Sequence, residues 1–198
     1  MALKTFVKVS GINNLSDARY CAGMEVNQLG FEVEEGSDNY VDPQSFNEIK
    51  GWLSGVEFVG EINNAEANIS GIIAGYELDA VQVKSINQIT AAQKTGLKVV
   101  FFATDLASAH EVADKHAEHV DYILLEQEIS PKDLADLTSK APVVLLAGFD
   151  AENVVTVAES SIKGISIRGG QEIRPGYKDF DEMADILEAL EIDDLAND

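Results

Sequence analysis

Cysteine is nearly absent: the 198 residues hold one, Cys21. A single thiol excludes an intrachain disulfide framework and a cysteine-based zinc site. Cations are scarce too, with 14 Lys plus Arg against 35 Asp plus Glu, a formal net charge of −21 and a pI near 4.3. A field of that sign repels polyanions, so neither nucleic acid nor an anionic membrane is expected as a partner. No run reaches the roughly 18 apolar residues of a membrane span, and the opening MALKTFVKVSGINN lacks the apolar core of a signal peptide. A soluble cytoplasmic protein is the expectation. Nor does a Gly/Ser-rich or Pro-rich stretch divide the chain, which reads as a single domain over 1–198 with a frayed acidic tail at 192–198.

What is present is ordinary globular material, 45% apolar and 25% charged, enough to bury a core despite the acidity. Strand-like and helix-like periods alternate from end to end. Eight strands are expected, at 5–10, 28–33, 57–62, 80–84, 98–103, 122–126, 143–147 and 164–168. Asp42-Pro43 marks a helix start, an N-cap followed by proline at the first helical position, before Phe46, Ile49 and Leu53. Ser130-Pro131 repeats the device ahead of Leu134 and Leu137, and Phe180, Met183, Leu187 and Leu190 pattern a last helix. Eight βα units in this length predict an α/β fold, a small (β/α)8 TIM barrel; a doubly wound open sheet is the alternative.

Alternation assigns faces within the strands. Val7, Val9, Leu29, Phe31, Val81, Val83, Ile123, Leu125, Ile165 and Ile167 form the outward, helix-facing sets. The intervening residues face the axis. Near the C-terminal strand ends these are Lys8, Ser10, Glu32, Glu61, Lys84, Glu126 and Arg168, with Gln82 and Ser166 one layer below. Three cations are thus expected to meet three carboxylates where barrel active sites lie. Two glycine segments, Ala147-Gly148-Phe149 and Arg168-Gly169-Gly170, follow the last two strands, the position at which barrels often bind phosphate through backbone N–H groups. A Cβ there would hold the backbone away from the anion. The expected partner is a small phosphorylated metabolite; no metal or cofactor is called for, and monomer and homodimer both stay open.

Other residues carry plainer readings. His110, His116 and His119 read as a solvated helix. Cys21 reads as a small core side chain, Asp105 as a helix cap, and Trp52 with Phe46 as core.

Motifs along nearly the whole chain resemble the phosphoribosylanthranilate isomerase family. Val7-Lys8-Val9-Ser10-Gly11-Ile12 through Asp17-Ala18 resembles its opening KICGIT-x-x-x-DA, and Gly170-Gln171-Glu172 through Pro175-Gly176-Tyr177-Lys178-Asp179 its closing G-x-E-x-x-P-G-x-K-D. Leu29-Gly30-Phe31, Tyr40-Val41-Asp42-Pro43, Val59-Gly60, Ala80-Val81-Gln82 and Ala147-Gly148-Phe149 through Val154 are similar to segments between them. The resemblance implies a (β/α)8 barrel that opens a furanosylamine and moves a proton, using a general base near sugar C2 and an acid at the ring oxygen. In the family the base is a cysteine, which stands here as Ser10, and the acid an aspartate, here Glu126. The arginine for the anthranilate carboxylate becomes Asn39, the histidine after the Gln82 position becomes Lys84, and an eighth-strand aspartate becomes Ser166. A serine hydroxyl is too weakly acidic to act as an anion near neutrality, whereas a thiol is not. The departures gather at the barrel mouth, which implies a site rebuilt for another ligand; a catalytically inactive paralogue acting as a ligand-binding or protein-interaction module is the alternative.

Overall fold

The computed structural model describes residues 2–169 and 181–192, together with the backbone of the short strands Glu172–Arg174 and Tyr177–Lys178. Gly170, Phe180 and the tail residues 193–198 lie outside the described residues. Eight parallel strands close into a barrel in chain order: β1 (Phe6–Ser10), β2 (Gln28–Glu32), β3 (Glu57–Glu61), β4 (Ala80–Val83), β5 (Lys98–Ala103), β6 (Tyr122–Leu125), β7 (Val143–Leu145) and β8 (Gly164–Arg168). The open-sheet alternative is thereby excluded. Closure joins β1 to β8 over five residue pairs, from Phe6 with Gly164 to Ser10 with Arg168. Glycine is required at 164, where a Cβ would overlap the Phe6 carbonyl oxygen and hold the last strand off the first.

The helices form where their signals stand. Helix α1 (Leu15–Gly23) starts at Asn14, whose side chain accepts the Asp17 N–H at 2.9 Å. Helix α2 (Pro43–Lys50) starts at Asp42, which accepts from the N–H groups of Gln44 and Ser45. These bonds hold the Asp42 carboxyl below the usual carboxylate range, the Ser45 hydroxyl being the largest contributor. Then follow α3 (Ile69–Ile72), α4 (Ile86–Gln93), α5 (Leu106–Lys115), α6 (Pro131–Thr138) and α7 (Val154–Ala158). Asp105 caps α5 through the Ser108 N–H, and Ser130 caps α6. Strands β9 (Glu172–Arg174) and β10 (Tyr177–Lys178) pair antiparallel before α8 (Asp181–Leu190). This hairpin is absent from the sequence expectation, although Pro175-Gly176 between its strands is a turn signal.

Two apolar layers result. The ten outward residues named above are all buried between strands and helices, with Cys21 and Phe46 among them. A smaller cluster, Val59, Ala80, Val100, Phe102, Tyr122, Leu124 and Val144, fills the barrel axis. One expectation fails. Trp52 is 71% exposed and not core: α2 ends at Lys50, so the helical phase that buries Phe46 no longer applies two residues on. Ile192, the last residue described, donates its N–H to the Ala2 carbonyl beside a bridge between Leu3 and Glu191; the rest of the expected tail lies outside the described residues. Among the described residues no helix is long and apolar enough to cross a membrane.

Candidate active site

The C-terminal ends of the strands open into two adjoining cavities of about 540 and about 320 Å³, which share Leu146 and Arg168. Ser10, Glu32, Asn39, Glu61, Gln82 and Gly169 line the larger, with Phe102, Leu124 and Leu146 as its apolar wall. Glu126, Phe149 and Ser166 line the smaller, against Met183 and Ile186 of α8. Most of the residues that alternation directed inward are therefore gathered at one end of the barrel.

The interior pairing is specific. Lys8 is fully buried and forms an ion pair with Glu61, itself 5% exposed. The same ammonium donates to Ser10 Oγ at 2.6 Å, while Glu61 Oε2 accepts the Gly11 N–H at 3.3 Å. Glycine at 30 makes room for this pair: a Cβ would collide with Glu61 Oε1 and press on Lys8 Nζ. On the other side Arg168, 61% exposed, pairs with Glu126. Ser10 and Arg168 are register partners on β1 and β8, and the Gly169 N–H donates to the Ser10 carbonyl at 2.8 Å. Two buried oxygens at this end, Gln82 Oε1 and Ser166 Oγ, have no hydrogen-bond partner.

Several expectations need correction. Lys8 is register partner of Ser166, one layer deeper than placed by alternation counting, and has no surface to offer a ligand. Lys84 lies past the end of β4, is exposed, and lines neither cavity; its ammonium stands 5.2 Å over the Phe102 ring. The expected three-against-three charge cluster is two pairs, since Glu32 takes the Asn39 backbone N–H at 3.4 Å and its amide at 3.2 Å instead of a cation. Gly148 has φ +87°, in the left-handed region glycine favours, but only its neighbours Ala147 and Phe149 line a cavity. The helix start at 150–153 presents few free donors, because Asp150 Oδ1 accepts the N–H groups of Glu152 and Asn153, at 2.9 and 3.0 Å. Asp38, Asn13 and Asn63 also line the larger cavity. They sit in loops, where strand alternation carries no signal.

Among the described residues no group of three His, Cys, Asp or Glu side chains could hold a metal ion. His119 meets Gln93 at 3.0 Å, and His110 lies 3.7 Å from Asp136, and neither lines the two cavities.

Fold and cleft together define a (β/α)8 barrel protein with a polar site at the carboxyl ends of its strands. The model of the family described as N-(5'-phosphoribosyl)anthranilate (PRA) isomerase matches residues 7–189, and the chain belongs to that family. The N-(5'-phosphoribosyl)anthranilate isomerase of Gloeothece citriformis is 27% identical over 204 residues, covering 93% of each chain. That of Magnetococcus marinus is 26% identical, covering 96% of each. The dimeric Thermotoga maritima enzyme, solved as generated monomers, superposes with a TM-score of 0.75 at 24% identity, over 94% of this chain and 98% of that one. A phosphoribosyl anthranilate isomerase in complex with reduced 1-(o-carboxyphenylamino)-1-deoxyribulose 5-phosphate superposes with a TM-score of 0.74 at 23% identity, with the same coverage. At that identity the structural likenesses show the fold. That these relatives bear isomerase names gives no support to the reading as an inactive interaction module.

Proposed function

We propose that the chain binds a small phosphorylated sugar at the two adjoining cavities and catalyses its intramolecular, aldose–ketose type isomerisation. The observation that carries this reading is the presence of two carboxyl groups on separate strands, Glu61 on β3 and Glu126 following β6, facing cavities that share Arg168. Such a reaction needs a base and an acid at different atoms of one substrate. Glu61 is the base: it takes the proton from sugar C2. Glu126 is the acid: it gives a proton to the ring oxygen as the C1–O bond breaks. The resulting enol then takes a proton at C1 from Glu61, exchangeable with solvent, and loses its O2–H proton to Glu126, so that the ketose forms and both carboxyl groups are restored. Ser10 is a positioning residue in this scheme. Its hydroxyl accepts from Lys8 and fixes the ammonium that in turn fixes Glu61. Arg168 holds the phosphate, its five donors being enough to serve an anion and Glu126 together. That the relatives named above are isomerases of N-(5'-phosphoribosyl)anthranilate supports the reaction class.

Thermal denaturation with and without inorganic phosphate or ribose 5-phosphate tests binding. A rise in Tm that disappears in Arg168→Ala is the expected result; no response to any phosphate ester sinks the proposal. For the chemistry, conversion of ribose 5-phosphate to its ketose in D2O is to place solvent deuterium at C1 of the product. Glu126→Gln is to slow it by about 10²–10⁴-fold with the phosphate response kept.

A further inference from the structure

The larger cavity is divided by charge. Towards β2, β3 and β4 its wall carries Glu32, Glu61, the exposed Asp38 and the side-chain carbonyl of Gln82. Gln82 is 5% exposed, and its Oε1 has no partner. All four present hydrogen-bond acceptors. Among the described residues the single cationic lining group is Arg168, on the β8 side. Lys8 is fully buried and its ammonium is spent on Glu61 and Ser10, so that pair is neutral and the carboxylates left without a cation are Glu32 and Asp38. Nor do the amides, since Asn39 gives its NH2 group to Glu32 and its oxygen accepts from Asn13 at 3.2 Å.

A carboxylate placed on this wall would meet the carboxylates of Glu32 and Asp38 and an unpartnered carbonyl, with no cation on that side to offset its charge. A hydroxyl would give Gln82 the donor it lacks. An ammonium would do the same and also offset part of the charge of Glu32 and Asp38, neither of which is paired with a cation among the described residues. We infer that the substrate end lying away from the phosphate is uncharged or cationic and rich in donors, an amino- or polyhydroxyl-bearing sugar phosphate, and not a carboxylate-bearing one. This inference rests on the proposed phosphate binding at Arg168 and assigns the opposite end of the same ligand.

Isothermal titration of the full chain at neutral pH and low salt with three matched probes, glucosamine 6-phosphate, glucose 6-phosphate and 6-phosphogluconate, tests it. The amino sugar is to bind about fivefold tighter than glucose 6-phosphate, and the carboxylate-bearing ester about fivefold weaker, the size of one exposed charge contact each way. The double variant E32Q/D38N is to compress that spread to about threefold or less. 6-Phosphogluconate binding as tightly as the amino sugar overturns the inference. So does binding of inorganic phosphate with no discrimination among the esters, or with none of them bound; these outcomes leave the phosphate reading standing. Absence of binding by all four anions, inorganic phosphate included, overturns both.

Discussion

The two ends of the barrel use polar side chains for opposite purposes. At the N-terminal ends of the strands, Tyr122 donates to Gln28 at 2.7 Å, Gln28 donates to Glu57 at 2.8 Å, and Glu57 pairs with Lys98 at 2.5 Å. Lys163 closes this floor, bonded to Asp121 at 3.0 Å with its ammonium over the rings of Phe6 and Tyr122. Burial pushes the Tyr122 hydroxyl well above its ordinary pKa, so it serves the network as a fixed donor. At the mouth, by contrast, Gln82 Oε1 and Ser166 Oγ are buried without partners, and Lys8 and Glu61 place a charge pair in the interior. Buried polar groups left unsatisfied cost stability and persist where a ligand uses them. On the proposed function, the mouth is where this barrel gives up stability for recognition.

The mouth pair offers the largest test. Lys8→Met leaves Glu61 buried without its counter-charge and is expected to cost about 3–5 kcal/mol in urea denaturation. Lys8→Met combined with Glu61→Leu is to recover most of that loss, while abolishing turnover. A single-variant cost under about 1 kcal/mol would show that the pair is not desolvated as described. At the floor, Tyr122→Phe strands the Gln28 carbonyl and is expected to cost about 1–3 kcal/mol, with the phosphate-dependent rise in Tm unchanged. If that rise changes, the two ends are not separable.

Smaller effects sharpen the comparison. Gln82→Met and Ser166→Ala remove groups that have no partner, so each is to change stability by under about 1 kcal/mol. Ligand affinity, measured by titration, is to fall in both. A loss of stability comparable to that of Tyr122→Phe would contradict the assignment of these oxygens to a ligand. The smallest effect concerns pH. Burial raises the Glu57 pKa, but the bonds from Lys98 and Gln28 outweigh it and leave the carboxyl below its ordinary value. A depressed folded-state value contributes stability that is present above the unfolded pKa and is lost as pH falls through the folded one. Lys98 is raised, chiefly by its bond to Glu57, so its share is present below the unfolded lysine value and lost as pH rises through the folded one. Glu57→Gln is therefore to flatten the acid limb of a Tm–pH profile, by under about 1 kcal/mol because both groups are partly exposed.

Where period and alternation apply, the chain was legible. All eight strands stand where the apolar rhythm puts them, and the outward sets are buried in the helix–strand layer. Caps at Asp42, Asp105 and Ser130 are local chemistry, one side chain and the N–H groups two or three residues on, and they form as read. Legibility stops at the strand ends. Lys84 and Trp52 follow the last residue of a strand and a helix, where the period that predicted their direction no longer holds. Asp38 and Asn63 reach the cavity from loops that carry no periodic signal. Asp150, read as opening a helix towards an anion, satisfies that helix's own donors.

The scarcity of cations set the first expectation and is also where sequence and structure part. Local rules determined the strands and helices, because strand period and caps act over a few residues and need no partner from elsewhere. They directed Lys8, Glu61, Glu126 and Arg168 to one end of the barrel, but not into particular pairs. Closure of β1 on β8, across 158 residues from Phe6 to Gly164, decided that Ser10 lies beside Arg168. The depth of β1 against β3 decided that Lys8 is consumed by Glu61 and not offered to a ligand. Which charges remain free at the mouth is a property of distances between strands far apart in the chain, and those distances exist only once the barrel has closed.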